Sequence, residues 1–148
     1  MKPVRTMILL ASERRMRLIE NAGVGKGLTE IADYSVDDLG EVRADYADDA
    51  GRQQAAPGSG GHGFERTTSV RRQKREDFAS HVMDEAAGMF TQNGYDRLVI
   101  SAAPKMLGAL RDEMPDALKG ALRADLDKDL AKLPLKDLET HLADVLAV

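Results

Sequence analysis

An α/β protein, built as a mixed β-sheet with flanking helices, is what this sequence predicts. Three observations predict it. Three β-rich apolar segments follow one another before residue 37, joined by short polar or glycine-rich turns. Beyond residue 69, segments with helical spacing alternate with short apolar runs. Between these halves lies a stretch from about residue 37 to 68 with no apolar period. Consecutive antiparallel strands followed by alternating helices and strands give a mixed sheet with helices on its faces. The expected order is β-β-β, a long loop, then α-β-α-β-α.

Residues 4–12, VRTMILLAS, are apolar at their centre and suit a buried strand. Residues 14–20, RRMRLIE, alternate polar and apolar as a half-exposed strand does. The link between them is so short that an antiparallel hairpin is expected. NAGVGKG at 21–27 is a turn, and LTEIADYSV at 28–36 reads as a third strand. The turn lacks a phosphate loop's pattern, because Glu20 and Gly27 stand where it needs Gly and Ser or Thr.

A long helix is expected from Ser69, with Phe78, Val82, Met89 and Phe90 at helical spacing, ending at Asn93-Gly94. YDRLVISAAP at 95–104 is a continuous apolar strand of the kind found inside a parallel sheet. Pro104 opens the next helix, which carries Met106, Leu107, Leu110 and Met114 and is limited by Pro115. Residues 121–130 fit either a strand face or a helical stripe of leucines, and the strand is preferred. Leu135, Leu138, Leu142, Val145 and Leu146 mark a last helix after Pro134. The whole reads as one domain, 1–148, with a flexible glycine-rich loop at about 37–68.

Composition narrows the function. The 148 residues are 43% hydrophobic and 31% charged, which suits a globular chain with a real core. Cysteine is absent, which excludes disulfides and thiolate metal sites. The net charge of −4 means that nucleic-acid binding requires a local basic patch. No run approaches the length of a membrane helix, and no signal-peptide core is seen, so a cytoplasmic protein without membrane contact is expected.

Metal and hydrolytic chemistry find little support. Asp125, Asp127 and Asp129 alternate, but Leu130 and Lys136 break the calcium-loop pattern, leaving a solvated strand face. The strand segments VRTMILLAS at 4–12 and LVISAAP at 98–104 carry no carboxylate to hold a catalytic divalent ion. His81 and His141 lack ligand-spaced partners. No nucleophile elbow exists. Neither a metal nor a cofactor is expected.

One stretch is unusual: GSGGHGFERTTSVRRQKREDF, residues 58–78. Four glycines fall within six residues, and Arg71, Arg72, Lys74 and Arg75 put four cations into five. At about 100° per residue, Arg71 and Arg75 share a helical face with Phe78, Val82 and Met89. One face cannot be buried against a sheet and carry bare cations at the same depth. The first turns should therefore project past the sheet, with docking beginning at Phe78. The arrangement is a flexible tip on a basic stalk that could hold phosphates.

Two segments carry a resemblance. YDRLVISAAPKMLGALRDEM at 95–114 and LRADLDKDLAKLPLKDLETHL at 122–142 resemble the bacterial family of proteins required for attachment to host cells. The shared features are a strand ending in A-x-P (Ala102-Ala103-Pro104), L-G-x-L-R (Leu107 to Arg111) and D-K-D-L-x-K-x-P (Asp127 to Pro134). That family is similar in fold to the middle domain of eukaryotic and archaeal class 1 translation release factors, a ribonuclease-H-like mixed sheet. The resemblance implies that Gly60-Gly61-His62 stands in place of the release factors' Gly-Gly-Gln tip, with Lys74, Arg75 and Phe78 following at similar spacing. In the release reaction the tip's main-chain N–H stabilises charge developing on the ester.

On that resemblance Gly60, Gly61 and His62 are catalytic candidates, with peptidyl-tRNA hydrolysis left open by the histidine. Arg66, Arg71, Arg72, Lys74 and Arg75 are candidates for binding tRNA or ribosomal RNA. The alternative is a non-enzymatic protein-interaction or regulatory module that affects attachment through its acidic loop and exposed sheet edge. The oligomeric state is left open.

Overall fold

The run TMILLA has no polar face, and the fold leaves it none to expose. In the computed structural model, which describes residues 3–36, 63–146 and 148 (residues 63–66 as backbone only), all six residues of this strand, β1 (Thr6–Ala11), are buried. Strands β2 (Arg15–Asn21) and β3 (Thr29–Ser35) follow it as an antiparallel meander. The long helix α1 (Gly63–Asn93) leads to β4 (Arg97–Ala102), which pairs with β1 in parallel. Helices α2 (Pro104–Glu113) and α3 (Asp116–Lys119) form the crossover to β5 (Leu122–Leu126), parallel to β4. Helix α4 (Leu135–Leu142) closes the order. The sheet runs β3-β2-β1-β4-β5, with β1 at its centre.

Period-two alternation sends the side chains of these strands into two separate cores. Met7, Leu9 and Ala11 of β1, Leu98, Ile100 and Ala102 of β4, and Met16 and Leu18 of β2 face α1 and α2. There they meet Phe78, Val82, Met83, Met106 and Leu110. Ile8, Leu10, Ile19 and Val99 face the other way, onto Leu130, Leu138 and Leu142. The register makes this consistent: Ile8 stands opposite Ile19 on one side and level with Val99 on the other. Each large aliphatic side chain so buried contributes roughly 1.5–3 kcal/mol.

Because both faces are covered, β2 is not the half-exposed strand that its alternation suggested. Met16, Arg17, Leu18 and Ile19 are all buried. Arg17 is only 4% exposed, and the fold accommodates its charge by saturating it. Its Nε and Nη2 donate to the two carboxylate oxygens of Glu30 on β3 at 3.0 and 2.7 Å. Its Nη1 donates to the carbonyls of Ala131 and Leu133 at 3.1 and 2.6 Å. Arg17, the one buried cation among the described residues, thus ties the sheet to the segment entering α4.

Helix α1 begins at Gly63, not at Ser69, so the expected loop loses its last six residues to the helix; residues 37–62 lie outside the described residues. The helix stops where expected: Gly94 takes a φ of +65°, and the N–H of Tyr95 donates to the carbonyl of Phe90. Pro104 occupies the first turn of α2. Residues 121–130 resolve toward the strand, but β5 ends at Leu126, leaving Asp127 and Asp129 in the following connection. Asp125 is no idle member of a solvated face, since Arg111 on α2 donates to it through Nε at 2.7 Å. The short α3, which buries Leu118, adds one helix to the predicted order. Among the described residues, no helix is long and apolar enough to cross a membrane.

Candidate nucleic-acid interface on the long helix

The basic segment acquires its position from where α1 first touches the sheet. At 1.5 Å per residue the 31 residues of α1 span about 46 Å. Among its described side chains, none before Phe78 is buried, and Phe78 and Ala79 are 2% and 0% exposed. The half of the helix that carries the cations therefore precedes the half that packs. Arg71 and Arg72 are exposed, while Lys74 and Arg75 are half-buried. Arg66 lies in the described backbone of the same helix, earlier by about a turn and a half.

The cations are not equivalent. Arg72 donates to Glu76 one turn along, at 3.0 Å, with a side chain still 76% exposed. Such a pair contributes little and is easily exchanged for another anion. Arg75 is held more firmly: its Nε donates to Glu13 in the turn between β1 and β2, and its side chain is only 16% exposed. This corrects the expectation of bare cations at both Arg71 and Arg75. Docking starts one turn before Phe78, through an ion pair, because Arg75 lies on the sheet-facing stripe and the β1–β2 turn rises to meet it. Among the described residues, Arg71 and Lys74 have no carboxylate partner.

Beside this segment, α1 and α2 diverge around a cleft of about 540 Å³. Arg72, Arg75 and Glu76 line it from α1, and Lys105, Asp112 and Glu113 from α2. Pro104, two residues beyond the end of β4 at Ala102, also lines it. The carboxyl ends of parallel strands are where open α/β sheets hold their ligands. The participation of Glu13 and Lys105 was not read from the sequence. Glu13 lies 62 residues from Arg75, and no local pattern joins them.

The opposite end of α1 carries a second polar cluster, and it is a tie. Arg5 donates through Nη2 to Glu20 at 2.7 Å and stands over the Tyr95 ring at 4.7 Å; Tyr95 in turn donates to Glu20 at 2.9 Å. Arg5 also bonds the carbonyl of Asn93 at the end of α1. The hydrogen bond from Arg5 holds the Glu20 carboxyl below its ordinary range. Burial, with the Glu20 charge, pushes the Tyr95 hydroxyl up to about 12.

Of the other candidates, His81 is half-buried in α1 and His141 exposed in α4. Among the described residues no group of His, Asp and Glu could hold a metal ion. Gly60, Gly61 and His62 lie outside the described residues.

A mixed sheet in the order β3-β2-β1-β4-β5 with flanking helices is a release-factor-like architecture. Comparison with solved structures agrees: the crystal structure of an archaeal translation termination factor, aRF1, matches with a TM-score of 0.51 and 12% identity, over 95% of this chain. This chain spans 41% of that one. The sequence matches the model of Bacterial archaeo-eukaryotic release factor family 12 over residues 5–142, and the chain belongs to that family. No curated protein matches it.

The family match overturns the resemblance to host-attachment proteins, since it takes in both segments that carried that resemblance. What the resemblance brought with it, a role in attachment and a bacterial source, falls with it. The matched family's printed name describes the family, not the origin of this chain. The reading of His62 as a replacement for a tip glutamine is also withdrawn: a fold likeness at 12% identity relates architectures and does not align single residues.

Proposed function

We propose that this chain is an RNA-contacting module of the translation-termination type. It binds transfer or ribosomal RNA through Arg71, Arg72, Lys74 and Arg75 on the exposed half of α1, and it works where ribosomes are, in the cytoplasm. The observation that carries the reading is the division of α1 at Phe78: among the described side chains, cations that stay out of the core precede it, and apolar residues that enter the core follow from it. Membership of a release factor family supports RNA as the polyanion.

The physics favours a contact of moderate strength. Arg71 and Lys74, which have no carboxylate partner among the described residues, can meet phosphates directly, and Arg72 needs only to leave an exposed pair. Arg75 must give up Glu13 or engage while still bonded to it. About two to four phosphate contacts follow, each releasing counterions.

The test is co-sedimentation with ribosomes of the parent and of a variant combining R71E, R72E, K74E and R75E. Because these side chains lie outside both cores the variant should still fold, with a lower melting temperature from loss of the Arg75–Glu13 pair, while ribosome affinity should fall by roughly ten- to a hundredfold for that number of contacts. Undiminished co-sedimentation of a folded variant would refute the proposal.

A further inference from the structure

Gly108 has no explanation within the fold. It sits in the middle of α2, where glycine is less favourable than alanine, and its φ is not in the left-handed region. A Cβ built there meets nothing within 4 Å, so no neighbouring backbone or side chain requires its absence. Gly88 in α1 is as open but does not line the cleft. Gly108 lines the cleft between α1 and α2, on the same face of α2 as Lys105 and Asp112, three residues before it and four after. What its smallness preserves is the space itself.

The charges around that space have a pattern. Arg72 and Arg75 from α1 and Lys105 from α2 supply cations; Asp112 and Glu113, two turns along α2 from Lys105, supply carboxylates, as does Glu76 on α1, which Arg72 must leave to meet a phosphate. Groups of both signs within one cleft suit a ligand that is anionic at one end and rich in hydrogen-bond donors at the other. A nucleotide is such a ligand: its phosphate pairs with Lys and Arg, and its ribose hydroxyls or base N–H groups donate to carboxylates. The cleft volume, about 540 Å³, lies within the range of small-molecule pockets.

We infer that the α1–α2 cleft is a nucleotide-binding site, with its phosphate held at Lys105 and Arg72, its hydroxyl or base donors at Asp112 and Glu113, and Gly108 as the open floor between. The inference rests on the RNA-binding reading and extends it: the RNA seen first by the exposed cations places one nucleotide unit in the cleft. The same chemistry would also admit a free mononucleotide.

Gly108→Gln separates the two claims, because it fills the cleft with a neutral side chain from a position with room for it and leaves every stalk cation in place. Gly108→Ala serves as the control that changes backbone preference without filling the space. Binding of a short single-stranded RNA, followed by fluorescence anisotropy, should weaken at least tenfold in G108Q and be unchanged in G108A, with melting temperatures at or above the parent's. Lys105→Glu should produce a similar loss. Competition by AMP identifies the source: AMP that binds the parent and not G108Q, with RNA affinity unaffected, assigns the cleft to a free nucleotide. If G108Q and K105E bind both RNA and AMP as the parent does, the inference is wrong. The RNA-binding reading then survives if the stalk reversal still abolishes binding, and fails with it if the reversal has no effect.

Discussion

At the scale of single residues, Arg17 shows how a buried charge can be legible as a residue and illegible as a role. In RMRLIEN it looks like the solvent half of an alternation, and only the α4 side of the fold turns that half inward. Its full set of partners makes removal costly: Arg17→Ala leaves Glu30 without its bidentate partner and two carbonyls without a donor. The expected loss is about 2–4 kcal/mol, read as a lower urea midpoint with unchanged m-value. Glu20 gives the pH dependence its sign. Its folded pKa is depressed by the hydrogen bond from Arg5, so its contribution to stability is present above the ordinary carboxylate pKa and is lost as pH falls through the lower folded value. Glu20→Gln should lower stability at neutral pH and flatten the acid side of a stability–pH curve measured by urea unfolding. Asp33, depressed by the hydrogen bond from Arg15, loses its contribution in the same direction and keeps some acid dependence in the variant.

At the scale of elements, legibility followed local pattern. TMILLA and RLVISA read as strands because a continuous apolar run this short has few other uses, and Pro104 and Gly94 marked helix ends through their own backbone chemistry. The start of α1 was missed because Gly63 to Thr68 carries no apolar stripe from which a helical period could be read. The four-residue α3 fell below the length at which periodicity is visible. The division of α1 was readable, because the change from cation to apolar side chain on one stripe sits within a single turn, at Arg75 and Phe78. It carries a prediction for the helix as a unit. Phe78→Ala should cost about 3–5 kcal/mol, since Phe78 is the first anchor in a core with Met83 and Met106 around it. Amide hydrogen exchange should show weaker protection from Arg71 to Asp77 than from Phe78 to Phe90, because opening the first part breaks no core contact. Equal protection along both parts would mean that α1 is supported along its whole length.

At the scale of the molecule, the fold class was legible and the site only half so. Three strands in tandem and then alternating elements admit few arrangements once connections are kept short, so the mixed sheet followed from order alone. The site joins α1 to α2 and to the β1–β2 turn, and sequence distance concealed both of those contributions: Lys105 is an unremarked lysine until α2 is set beside α1, and Glu13 belongs to a turn. The family assignment was missed for a related reason, since apolar strands and leucine-bearing helices are shared by many α/β chains and short segments do not separate one family from another. What distinguishes this molecule is an acidic chain that places four cations within five residues of one helix, from Arg71 to Arg75. The measurement that tests this most directly is affinity for a single-stranded RNA as a function of salt. For about two to four phosphate contacts, log affinity against log salt should fall with a slope between about −1.5 and −3, and the slope should approach zero when Arg71, Arg72, Lys74 and Arg75 are reversed in charge. A parent that binds with no salt dependence, or a reversed variant that keeps the parent's slope, would contradict the account.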